Sequence, residues 1–137
     1  MNKPVNYPIA KILQEKCFDS QQPVAEYWEV DKIQYLFETY EEEYHSIHHE
    51  DSPTNNVFLC LAPTISDVVM WIYKKYGIWI SVNINQKMER FKADIFELLS
   101  YKCTIDGRSE NRQEYGWETP EEAYDAAIEY ILQNKIN

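Results

Sequence analysis

A chain of 137 residues, 45% of them hydrophobic, is long enough for one hydrophobic core, and no stretch reaches the roughly 18 apolar residues that span a bilayer. Three glycines leave almost no room for a glycine-rich phosphate loop. Thirteen Lys and Arg against 23 Asp and Glu give a net charge of −10, a field that repels duplex nucleic acid and anionic lipid and attracts a basic partner.

In chain order, Met1–Pro8 lacks the apolar run of a signal peptide. Pro8 suits the first turn of a helix, and Ile9, Ile12, Leu13 and Cys17 then recur near helical spacing, with Lys11, Gln14 and Glu15 turned outward. Asp19–Pro23 ends that helix. Ala25–Val30 and Ile33–Phe37, joined by Asp31-Lys32, read as a hairpin. Residues 39–56 are polar and read as an exposed connection. Val57–Leu61 is a short apolar strand.

A second helix follows Thr64, with Asp67 three residues on as a short-acid version of the capping box. Its stripe is Ile65, Val68, Val69, Ile72 and Tyr76, and Gly77 stands where a left-handed C-terminal cap belongs. Ile78, Ile80, Val82 and Ile84 alternate with Trp79, Ser81 and Asn83, the period of a strand with one buried face. Phe91–Leu99 is its antiparallel partner, and Tyr101–Ile105 prolongs that strand or begins another. Asp106–Ser109 turns the chain, and residues 110–118 form a polar connection. Thr119-Pro120-Glu121-Glu122 starts a third helix striped by Ala123, Tyr124, Ala127, Ile128, Ile131 and Leu132.

The expected fold is therefore α+β in one domain over residues 1–137. An antiparallel sheet of four to six strands would carry three amphipathic helices. A helix followed by two strands occurs at about 9–37 and again at 65–98, which suggests a duplicated helix–hairpin unit.

Three stretches carry a family likeness: residues 9–19 (Ile9-Ala10-Lys11-Ile12-Leu13 through Asp19), 62–72 (Ala62-Pro63-Thr64-Ile65-Ser66-Asp67 through Ile72) and 119–130 (Thr119-Pro120-Glu121-Glu122-Ala123 through Tyr130). The chain resembles in them a family of small uncharacterised proteins from Bacteroides-type bacteria and their phages. That family more often has Gly where Cys17 stands. The resemblance implies a bacterial accessory or mobile-element context and brings no activity with it.

Chemistry-bearing groups are few. His45, His48 and His49 are the only histidines, and on a helix His45 and His49 would present two imidazoles to one metal, with Glu41 a turn away. The sequence fixes no further ligand, and a solvated polar loop accounts for the same residues. Glu118, Glu121, Glu122 and Asp125 surround a helix N-terminus, where the helix dipole explains them. Cys17, Cys60 and Cys103 form no C-x-x-C pair; the first two sit among apolar residues and read as core. Their spacing suits a reducing compartment, so a cytoplasmic location is expected. Trp71, Tyr73, Trp79, Tyr101, Tyr115 and Trp117 read as packing residues or as a protein contact.

No cofactor is indicated. The leading expectation is a non-enzymatic interaction module that holds a basic protein surface, with homo-oligomers open to it. It would use the acidic surface of residues 38–51 or of 110–125, with Glu41, Glu42, Glu43, Tyr44, Tyr115 and Trp117 as contact residues; the charge is concentrated there, at net −8 over 26–51 and −6 over 110–129. Two alternatives stand beside it: a small metal-dependent hydrolase centred on His45, His48 and His49, and an acidic DNA mimic that occupies a nucleic-acid-binding protein.

Overall fold

The computed structural model describes residues 3–16, 18, 25–38, 56–85, 89–97, 100–105 and 116–136, with the backbone alone at 85 and 100–105. The elements run α1 (Tyr7–Glu15), β1 (Ala25–Val30), β2 (Ile33–Glu38), β3 (Asn56–Leu61), α2 (Ile65–Tyr76), β4 (Ile78–Asn85), β5 (Arg90–Glu97), β6 (Ser100–Ile105) and α3 (Pro120–Asn134). The class is α+β, and the chain divides into two compact units, Asn2–Thr64 and Ile65–Asn137.

The single sheet of four to six strands is corrected. The described strands form two antiparallel sheets of three, in the orders β2-β1-β3 and β4-β5-β6. Hairpins add strands to a sheet already begun, whereas the passage from β3 to β4 runs through the 12-residue α2 and opens a new one. A helix followed by a hairpin does recur. The wiring beyond it differs, because the first strand is central in one sheet and the second strand is central in the other.

In the first unit, α1 starts at Asn6, a cap residue. The Asn6 side-chain oxygen accepts from the Ile9 amide at 3.1 Å, and Pro8 sits in the first turn. Ile9, Ala10 and Leu13 are buried while Lys11, Gln14 and Glu15 are exposed, and the helix lies beside β3. The segment before it is tied down: the Val5 amide donates to Pro63 O at 2.9 Å, and the Tyr27 hydroxyl donates to Val5 O at 2.7 Å within the core.

The β1–β2 hairpin closes on Asp31 and Lys32, at φ 53° and 68°. Two successive positive φ values make a type I′ turn, which matches strand twist but suits Asn-Gly far better than Asp-Lys. Lys32→Gly is therefore expected to raise unfolding free energy by about 1 kcal/mol, because it removes the left-handed strain of a side chain. Urea titration of the full chain checks this.

In the second unit, α2 buries Ile65, Val68, Val69 and Ile72. Gly77 ends it at φ 69°, its amide donating to Tyr73 O at 2.9 Å, as the sequence led one to expect. Along β4, Ile78 and Ile80 are buried with their β5 neighbours Ala93 and Ile95, and α2 and α3 lie against these strands. Thr119 caps α3 by accepting from the Glu122 amide at 3.2 Å, while Glu122 reaches back to the Glu118 amide at 3.3 Å. Ala123, Ala127, Ile128, Ile131 and Leu132 form its buried stripe. At its far end Lys135 meets Glu97 of β5 at 3.3 Å. No helix among the described residues is long and apolar enough to cross a membrane.

Candidate interaction surface

Glu41, Glu42, Glu43, Tyr44, His45, His48, His49 and Tyr115 lie outside the described residues. Among the described residues no three His, Cys, Asp or Glu side chains come together in a metal-binding group. Trp117 is described, and its backbone is part of the second sheet. It exchanges two hydrogen bonds with Phe91, at 2.9 and 3.0 Å, and the side chain is half-buried.

The first sheet carries an aromatic surface instead. Trp28, on the central strand, stands across from Tyr35 on one side and Phe58 on the other. A bulge between β1 and β3 makes this possible: Phe58 shares the face of Trp28, although Cys60, two residues on, pairs with Tyr27 on the opposite face. The Trp28 and Phe58 rings meet edge to face at 5.5 Å, and Tyr35 lies 5.6 Å from the Phe37 ring. The Trp28 indole N–H donates to Glu26 Oε1 at 3.1 Å, so the one polar group of that side chain is held by a buried residue two positions earlier on the same face.

Exposure is concentrated on the two outer strands of this sheet. Ile33 is 57% exposed, Tyr35 43%, Leu36 40%, Val57 51% and Phe58 43%. Single exposed apolar residues are ordinary, but Ile33, Tyr35 and Phe58 share the Trp28 face and join through it into one surface spanning three strands, while Leu36 and Val57 lie on the opposite face. Next to Phe58 a cavity of about 270 Å³ opens between α1 and β3, walled by Leu13, Phe18, Leu61 and Pro63 with Gln14 as its polar side chain. Aromatic rings beside an apolar recess are what the centre of a protein contact requires.

The outer face of the second sheet is more mixed. Trp79 is exposed beside Phe96, its cross-strand neighbour, and the Tyr73 ring of α2 meets Trp79 edge to face at 5.4 Å. Asn83 Nδ2 donates to Ser81 Oγ at 3.2 Å and to Asp94 Oδ2 at 3.3 Å, which occupies the polar groups of that face with one another. Trp71 is committed as well, with Tyr76 at 5.4 Å and the Lys75 ammonium 5.3 Å above its ring.

Cys60 is buried, as a core reading requires, and burial pushes its thiol from 9.0 up to about 11, with the Lys11 charge offsetting part of the rise. At neutral pH it is no nucleophile. The unfolded thiol loses its proton first, so stability from this group is complete below about pH 9 and is lost as pH rises through about 11. A shift of this size corresponds to about 2–3 kcal/mol across that window. Tyr124, also raised by burial, adds a loss at higher pH. Urea melts between pH 8 and 11 should show the decline, and Cys60→Ala should flatten its lower part.

Trp28, Tyr35 and Phe58 were not singled out from sequence, yet one signal was present. Ile33, Tyr35 and Phe37 alternate with a second apolar residue, Leu36, so β2 cannot bury all of them on one face. Comparison with family models, curated proteins and solved structures found no match for the chain.

Proposed function

We propose that this chain is a non-enzymatic protein-interaction module of a bacterial accessory or mobile-element protein, working in the cytoplasm. Its contact surface is the aromatic face of the first sheet, and its partner presents a basic surface. The observation that carries this reading is the set Trp28, Tyr35 and Phe58 on one face across three strands, half-buried at the centre and exposed at Tyr35 and Phe58, beside an apolar recess. Burying a large apolar side chain contributes about 1.5–3 kcal/mol, so a few such groups supply most of the energy of a specific contact. The net charge of −10 supplies attraction at a distance and favours a cationic partner.

The test compares affinity capture by the full chain with capture by Tyr35→Ser/Phe58→Ser. Thermal melts establish that both are folded. A partner held by the wild type at low salt, released by about 0.5 M salt and absent from the variant, is the expected result. Identical captured sets from the two proteins would refute the assignment of this face.

A further inference from the structure

β2 is an edge strand, with β1 on one side and no described strand on the other. Its residues Ile33–Phe37 contain no charge and no proline, the devices that ordinarily keep an edge from pairing with another chain. Hairpin geometry fixes which groups face outward. In a two-residue hairpin the closing pair, here Val30↔Ile33, is the hydrogen-bonded kind, so Tyr35 and Phe37 also bond toward β1. Gln34 and Leu36 therefore turn their N–H and C=O groups to the open side.

We propose that this edge takes the β2 of a second copy of the chain, antiparallel about a two-fold axis, so that two three-stranded sheets join into one of six. The inference rests on the reading above only in taking the first sheet as the contact surface. Outward groups must meet outward groups, which restricts the register to steps of two residues. One of these registers matches the whole segment. With Tyr35 on the axis opposite the partner's Tyr35, Gln34 faces the partner's Leu36 in hydrogen-bonded pairs, and Ile33 faces the partner's Phe37. The same register brings Lys32, in the turn that precedes the strand, near the partner's Glu38, twice by symmetry. Sliding two residues either way leaves part of the apolar run unmatched and parts these charges. An occupant that supplies an uncharged strand flanked by one cation and one anion in reverse order is this strand itself. That self-complementarity singles out a second copy.

Sedimentation of the full chain from about 1 to 200 µM tests it, since a contact this small forms a reversible rather than a permanent dimer. A concentration-dependent monomer–dimer equilibrium is expected. Gln34→Pro removes an outward amide while sparing the bonds to β1, and should abolish the dimer. Lys32→Glu brings like charges near each other and should raise the dimer Kd at least about tenfold. Lys32→Glu/Glu38→Lys exchanges the pair and should restore it, an outcome that damage to the fold cannot imitate. Circular dichroism establishes that each variant is folded. A wild type that stays monomeric throughout, a dimer indifferent to Gln34→Pro, or a folded charge-swapped variant that stays dissociated would each overturn the proposal. Capture of a foreign partner through Tyr35 and Phe58 by a monomeric wild type would do so too, while leaving the functional reading in place.

Discussion

Ile80→Ala is expected to lower the unfolding free energy by about 3–4 kcal/mol, and Ile84→Ala, on the same strand and in the same alternation, by less than about 1 kcal/mol. Ile80 is 1% exposed and faces Ile95, itself fully buried, across the β4–β5 ladder. Truncation there removes three carbons from a packed layer and leaves a hole that strands paired on the ladder cannot close. Ile84 is 50% exposed near the end of β4, where its side chain already meets water. Urea denaturation of both variants reads the difference. Equal losses would mean that the buried face of β4 extends further than described here.

Gly116→Ala is the second large effect, at about 3 kcal/mol. Gly116 sits at φ 82°, where a side chain is strained in any surroundings, and a Cβ there would stand 2.7 Å from the Phe91 carbonyl oxygen and 2.7 Å from Arg90 Cβ. The backbone oxygen cannot step aside, so the two strands must part. What parts with them is the Phe91–Trp117 pair, which joins the segment leading into α3 to the edge of β5. The Phe91 amide should lose its protection from hydrogen exchange in the variant, while the Ser81 amide, which by the alternation of the ladder bonds to Asp94 of β5, keeps its own. If both stay protected and stability is unchanged, the close approach at Gly116 is wrong.

Local structure was legible in the sequence wherever one residue or one period dictates it. Asp31-Lys32 between two apolar runs, Gly77 after a striped helix, and Thr119-Pro120 before another each fall where the structure has a turn, a C-cap and an N-cap. Pairing between strands was not legible. Alternation shows which side chains share a face but not which backbone edge finds which neighbour, so a division into β2-β1-β3 and β4-β5-β6 could not be read from the pattern. Ile84 shows the same limit within one strand, since the period continues past the point where burial stops.

The aromatic face of the first sheet was not legible for a related reason. The acids and histidines of 41–51 stand out in composition and lie outside the described residues. Trp28, Tyr35 and Phe58 look like core residues one at a time. They become a surface only when the β1–β2 hairpin and the β3 bulge set them side by side on the face that stays exposed.

The most direct measurement is residue-resolved hydrogen exchange along β2 at low and high protein concentration. Ile33, Tyr35 and Phe37 bond to β1 and should be protected in both, whereas Gln34 and Leu36 should exchange freely when dilute and gain at least about tenfold protection when concentrated. Gln34 and Leu36 amides that are already protected in dilute protein, or that exchange at the same rate at every concentration, would contradict an open edge that receives a second strand.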